Sequence, residues 1–360
     1  MTPLKVGVIG ADPRGFGVRA HIPAIKSVHG LELAAICTAH DETARLAAAR
    51  YGVPKWFGGV DGLLSDPEID MVTIAVRPRF HLELAAAALE AGKFVYCEWP
   101  LARTSSEARE MASVAAVTTT KNAVGLQGTF SPALRLVADL VGQGRIGRPL
   151  TFEASLLQAR FPVDSDRAWL SHQEEASGAL FVASAHVIDA VQSILGEISS
   201  LVAVEKVSAP AGVFEDTGEP FQWTASDTVM LLAELRGGTS GVISISNVTY
   251  PSQGFSFRIT GEAGQLLARA PRYFQFSPIT VSVGGLSGEL EEQTVAYGSV
   301  ATSLGEDHPG KNVARALSSF AHSIGSDTRF RPDFEDGLGL HHLLDAVARS
   351  SRLQTWERPE

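Results

Sequence analysis

The sequence predicts an α/β fold in two parts: an N-terminal doubly wound parallel sheet of the Rossmann type, then an α+β domain with a large open, mostly antiparallel sheet. Three observations predict it. Through the first third, short β-rich runs alternate with helical stretches of roughly 10–15 residues, the mark of βαβ units. Those runs are apolar throughout rather than alternating, as expected of strands covered on both faces. Beyond residue 125 the pattern changes to longer strand-like runs, several of alternating polarity.

Taken in order, "KVGVIGA" reads as the first strand, breaking into the turn "DPRGFG" ahead of an amphipathic "RAHIPAIKSV". "LELAAIC" is a second strand, followed by the helical "DETARLAAARYG". A short helix near "VDGLLSD" precedes the strand "DMVTIAV". The helix "LELAAAALEAG" is closed by Gly92, a left-handed cap, and "KFVYCE" is the next strand. Thr104 and Glu107 then have capping-box spacing ahead of "AREMASVAAV". In the remainder, "LTFEASLLQA", "SSLVAVEKVSA", "DTVMLLAELRGG", "TSGVISISNVTY" and "GFSFRITGEAGQLLARA" read as strands, with a hairpin at Gly237-Gly238. Helices are expected in "GALFVASAHVIDAVQSIL" and "FEDGLGLHHLLDAVARSSRL".

The 360 residues suffice for two well-buried cores. A formal charge of −10 argues against nucleic-acid binding, which needs clustered Lys and Arg. Cys37 and Cys97, in apolar strands, read as core filler and not as a disulfide or metal pair, so no metal is expected. No apolar run approaches the ~20 residues that span a bilayer, and no signal-type segment opens the chain. A cytoplasmic protein without membrane association is expected.

A doubly wound sheet binds its ligand beyond the carboxyl ends of its strands. The first such end carries the glycine-rich turn Gly10, Ala11, Asp12, Arg14, Gly15 and Phe16, where backbone N–H groups and a helix dipole hold a pyrophosphate. The fingerprint wants glycine at the positions of Gly10, Asp12 and Gly15, so its middle member is an aspartate. A carboxylate about 5 Å from a phosphate charge is repelled by roughly 3 kcal/mol at an effective dielectric of ~20. Asp12 is instead suited to cap the helix with Pro13 at its first position, and Arg14 to offset the repulsion. The second strand end carries Thr38 and His40 with no acid for a ribose 2′-hydroxyl, which leans towards NADP over NAD. Val76, Arg77 and His81 follow the third end; His81 is open to two roles, a helix-start residue near the cofactor or a surface cap. Glu98 and Trp99 follow the fourth, and Gln127 lies at the strand end in "LQGTFSP".

With these residues in view, the chain resembles the glucose–fructose oxidoreductase / inositol dehydrogenase family (Gfo/Idh/MocA). The likeness runs through the glycine turn, "LELAAAALEAGKFVYCEWPLA", "GRIGRP", the helix with His186 and Asp189, "ITGEAGQLLA" and "FEDGLGLHHLLDAVARSS". It implies an NAD(P)-binding Rossmann domain over 1–125 and a substrate and oligomerisation domain over 126–360. It also implies oxidoreduction of sugar-like or polyol-like small molecules, and a homodimer or homotetramer formed through the open sheet.

In that family a Glu-Lys-Pro segment stands where this chain has Glu98-Trp99-Pro100, and the lysine works with an aspartate and a histidine one helical turn apart. Aligned on His186, the aspartate falls at Val182 and the lysine at Trp99. "EWPLA", "LQGTFSP" and "SAHVIDAVQ" are similar to a branch of the same superfamily, the fungal galactose-pathway repressors, which bind NAD(P) but act as regulators. Two expectations follow. Either the chain is an oxidoreductase with His186 as acid–base group and Glu98 ordering the site, or it is a cofactor-binding regulator without turnover. Trp99, Trp169, His172 and His186 are expected to line the substrate pocket, the middle two on position alone.

Overall fold

The computed structural model describes residues 2–118, 120–326 and 328–359. Its internal packing divides the chain into two compact units. One comprises the residues up to Gln127 with Ser299–Leu338; the other comprises Gly128–Gly298 with the C-terminal stretch from Gly339. The sequence reading placed everything after residue 125 in one domain, whereas the structure groups 299–338 with the first unit.

The first unit is built on a six-stranded parallel sheet: β1 (Leu4–Ile9), β2 (Leu31–Cys37), β3 (Lys55–Phe57), β4 (Met71–Ile74), β5 (Phe94–Glu98) and β6 (Asn122–Gly125), in the order β3-β2-β1-β4-β5-β6. The order reverses between β1 and β4, which makes this a doubly wound sheet with its switch point there. Both faces are covered by helices, so Val6, Val8, Met71, Val72, Val95 and Tyr96 are buried. The edge strand β3 has only three residues and no apolar run, which is why the sequence pattern does not mark it. The returning segment is stitched to the other edge: Val124 N–H donates to Pro332 O at 3.0 Å and Phe334 N–H to Asn122 Oδ1 at 2.8 Å. The first of these bonds uses an edge N–H of β6 that would otherwise be unpaired; the second is taken by the Asn122 side chain.

The helix ends follow the sequence. Helix Asp41–Tyr51 closes on Gly52 at φ +66°, and the turn after helix His81–Glu90 uses Gly92 at φ +73°. At helix Ser105–Thr118, Glu107 N–H reaches Thr104 Oγ1 at 3.2 Å, but the Glu107 carboxylate returns to Arg103 N–H at 2.9 Å, one residue before the expected partner.

The second unit holds a mixed, mostly antiparallel eight-stranded sheet. Its strands, with a separate hairpin, are β7 (Pro149–Leu157), β8 (Ile198–Lys206), β9 (Ala211–Val213), β10 (Pro220–Gln222), β11 (Thr228–Leu235), β12 (Ser240–Ser246), β13 (Gly254–Gly261), β14 (Gly264–Ala270), β15 (Thr280–Gly285) and β16 (Glu291–Gln293). The sheet order is β16-β15-β14-β13-β7-β12-β11-β8, with β9 and β10 paired apart from it. Only β7 and β12 pair in parallel; the other pairings are antiparallel. In β11 every second residue is buried, so Val229, Leu231, Ala233 and Leu235 form the core face, while Met230, Leu232 and Glu234 point outward. Helix Ala185–Leu195 is entered through a π-turn, Ala179–Ser184. The helical stretch Gln173–Leu195 is long and apolar enough to cross a bilayer by composition, contrary to the sequence expectation. Its apolar window is 56% buried within the protein, as in a core helix.

Candidate functional site

Parallel pairing places the strand ends of the first unit in one row. Ile9 pairs with Cys37 and with Ile74, Ile74 with Cys97, and Cys97 with Val124. The residues that follow each end therefore share one rim: the turn from Gly10 to Phe16, Thr38 and His40, Val76 and Arg77, and Glu98 with Trp99. Gln127 lies two residues beyond β6. This is the side of the sheet on which such folds take their ligand.

The glycine turn is compact. Gly10 adopts φ +106°, and a Cβ there would lie 2.6 Å from Ala75 O, so neither conformation nor space admits a side chain. A Cβ on Gly17 would overlap Gly10 O. The helix starts later than the sequence suggests: a π-turn spans Gly17–His21 and the α-helix Ile22–Ser27. Asp12 is thus not its N-cap, nor Pro13 its first residue. Asp12 Oδ1 accepts the Arg14 N–H at 2.7 Å and Asp12 O the Gly15 N–H at 2.8 Å. The local Asx-turn wins because it satisfies these donors two and three residues on without needing the helix. Arg14 is exposed.

At the end of β2, Thr38 Oγ1 bonds Thr43 Oγ1 at 2.6 Å and His40 O at 2.9 Å. Residues 38–40 carry no carboxylate, and Asp41, the next acid, lies against Gly58. The end of β5 holds the densest chemistry. Glu98 Oε1 and His21 Nε2 meet at 2.7 Å, both buried. The His21 ring lies edge-on to Phe16 and Tyr96. The sequence reading missed His21 altogether; its only signal was a histidine within an otherwise apolar "AHIPAI". Glu98 Oε1 is therefore engaged by an imidazole. Trp99 is buried, and the peptide joining it to Pro100 is cis.

His81 is not a surface cap but the first residue of helix His81–Glu90, with its ring turned to backbone carbonyls. It is fully buried, with Nδ1 2.9 Å from Pro100 O and Nε2 3.2 Å from Val76 O. Burial lowers its pKa below the ordinary histidine value. Gln127 is buried, and its Oε1 has no hydrogen-bond partner. That orphaned acceptor, with the Gly10–Gly17 cradle open to close backbone approach, fits a dinucleotide with an amide donor at one end. Gly10, Gly17, Gln127 and the Trp99 turn are the residues that would hold it.

In the second unit, His186 sits on helix Ala185–Leu195, buried, with Nδ1 lacking a partner. Burial pushes its pKa down to about 4, so the ring is neutral at physiological pH. Val182, one turn earlier, is 38% exposed and offers no polar group where the family's acid was expected. Trp169 lies on the turn Ser165–Ser171; His172 follows it, and its Nδ1 is 3.6 Å from Glu174 Oε1. Among the described residues no group of three His, Cys, Asp or Glu side chains could hold a metal ion.

A doubly wound sheet with a glycine-turn rim and a companion α+β unit defines a dinucleotide-binding protein of the oxidoreductase class. The profile "Oxidoreductase family, NAD-binding Rossmann fold" matches residues 4–126, and the Gfo/Idh/MocA C-terminal domain matches 134–267. The chain belongs to the Gfo/Idh/MocA family. Levoglucosan dehydrogenase of Pseudarthrobacter phenanthrenivorans is 27% identical over 99% of this chain and 98% of its own. A levoglucosan dehydrogenase solved with NADH and levoglucosan superimposes at TM-score 0.88, 26% identical, covering 100% of both chains. A super-repressor mutant of Gal80p from Saccharomyces cerevisiae shares the fold at TM-score 0.87 and 20% identity, over 99% of this chain and 98% of that one.

Proposed function

We propose that the protein is a dehydrogenase that oxidises a sugar-like or polyol-like alcohol, or reduces the corresponding carbonyl, with NAD(P)(H). A bound nicotinamide supplies the hydride acceptor for the carbinol C–H. The chain's own part is to hold the substrate and to receive the hydroxyl proton as the C–O bond becomes a carbonyl. His186 is the proton acceptor in this reading. It carries the proposal because burial keeps its ring neutral and Nδ1 has no competing partner. Trp99 and Val182 cannot exchange a proton, so His186 carries alone what the family distributes over three groups. Trp99 walls the ring's binding place. The sugar class is supported by the levoglucosan dehydrogenase relatives. Thr38, with no nearby acid, favours acceptance of NADP beside NAD. The protein works in the cytoplasm as a homodimer or homotetramer, without nucleic-acid or membrane partners.

The test is a spectrophotometric panel of anhydrosugars, aldoses, ketoses and polyols with both cofactors, run on the parent chain and on His186→Asn. Turnover that falls by about 10²-fold or more in the variant is expected for loss of a general base. No turnover anywhere on the panel, with the cofactor bound, overturns the enzymatic reading. A second reading is favoured by one observation, the indole and isopropyl groups at the two proton-handling positions: a cofactor-binding regulator. Recovery of one protein partner from native extract, strengthened or weakened by NADP, distinguishes it.

A further inference from the structure

We propose that His21 and His81 form a two-point clamp on the Glu98-Trp99-Pro100-Leu101 turn, and that both act as positioning residues which set the Trp99 indole as a fixed wall for the dinucleotide. The inference rests on the dinucleotide-binding reading of the first unit. His21 comes from the π-turn after the glycine loop, His81 from the start of the helix after β4, and the clamped turn follows β5. The clamp thus joins three loops on both sides of the sheet's switch point. On one side His21 Nε2 holds Glu98 Oε1 at 2.7 Å. On the other, His81 Nδ1 lies 2.9 Å from Pro100 O and 3.3 Å from Leu101 O, and Nε2 lies 3.2 Å from Val76 O; the neutral ring has one N–H, and in the Nδ1–H tautomer it donates to this turn. Trp99 is the residue between the two attachment points. A Cβ on Gly125 would lie 2.8 Å from Glu98 Cδ, so glycine on the neighbouring strand leaves room for the carboxylate.

Core stability alone accounts poorly for this arrangement. A buried polar pair is weak support for a fold, and an apolar pair of equal volume does as well or better. Here the pair is also incompletely satisfied, because His21 Nδ1 is buried with no partner. What the pair supplies is a unique geometry at a strand end where the ligand approaches. A rigid ring that serves as a wall needs its backbone held by supporting contacts, because small shifts in its position carry directly to what it packs against.

The experiment compares affinities for NADH and NADPH, by fluorescence titration, with the unfolding temperature of the ligand-free protein. The double variant His21→Leu with Glu98→Leu removes the His21 side of the clamp while leaving no unpaired polar partner, and so keeps a foldable core. A tenfold or larger rise in dissociation constant is expected, with the unfolding temperature at or above that of the parent. His21→Gln, which keeps a donor for Glu98, is expected to bind within about threefold of the parent. In a Trp99→Ala background the Leu pair is expected to cost less than twofold, because the residue through which it acts is gone. Binding within twofold of the parent in the Leu pair, or the same fold-change with and without Trp99, overturns the proposal. If the parent itself binds neither dinucleotide, the cofactor reading falls first and the clamp's purpose with it.

Discussion

His186 illustrates how one buried side chain limits both the chemistry and the conditions of use. Its pKa of about 4 means that lowering the pH from 7 to 5 leaves the folded ring neutral. The pH profile of kcat/KM is therefore expected to show no histidine inflection near 6.5 from this group. The same burial has a stability consequence of fixed sign. Unfolded, the ring binds a proton near pH 6.5; folded, only near 4, so the unfolded state takes up more protons between those values. Stability is unaffected above about 6.5 and falls as the pH drops through the window, by on the order of 3 kcal/mol for such a shift. His341, buried and held down to about 3, acts in the same direction and extends the window. Urea midpoints at pH 7.5, 6 and 4.5 check this: His186→Leu is expected to flatten the slope. Thr38 supports a second residue-scale prediction. Thr38→Asp places a carboxylate at the end of β2, where it would accept from a ribose hydroxyl and repel a 2′-phosphate. A shift towards NADH of about tenfold or more is expected, read as the ratio of kcat/KM values or of dissociation constants.

The elements around the first strand end show what local chemistry decides. β1, the turn and its glycines are visible in "KVGVIGADPRGFG", because positive φ and close backbone approach require glycine at Gly10. The start of the following helix was not visible. An aspartate before a proline has the form of an N-cap, but here the side chain closes its own turn and the helix begins at the π-turn from Gly17. The crowding of Gly17 against Gly10 O has a direct test. Gly17→Ala has no room for its methyl without moving the β1 turn, so a loss of about 2 kcal/mol or more in urea unfolding is expected. Weaker dinucleotide binding should accompany it. Unchanged stability would mean that the π-turn yields easily. In the second unit the strands from β11 to β14 were legible from alternation and the Gly237-Gly238 turn, whereas the β9–β10 hairpin, with three residues in each strand, has too few positions to show a period.

At the scale of the whole molecule, the large sheet presents an outward apolar stripe. Leu232 pairs with Val202 and Val242, and Met230 with Val204, on the face opposite the core. Met230, Leu232 and Val204 are 52%, 48% and 44% exposed. A contiguous apolar face of this kind suits an association surface. Leu232→Lys is expected to move the protein to a smaller species in light scattering without lowering its unfolding temperature. A parent chain that already runs as a monomer would remove this role from the sheet.

The sequence alone determined the two-part α/β architecture and its strand ends, because periodicity and turn chemistry are local properties. It could not show that Glu98 is held by His21, 77 residues away, that the His81 ring faces backbone carbonyls, or that Pro332 and Phe334 bond to β6. Those facts depend on which distant groups share a buried volume. A side chain's desolvation and its partners exist only after the chain has closed around it, so the protonation state of His186 and the engagement of Glu98 were decided by tertiary structure.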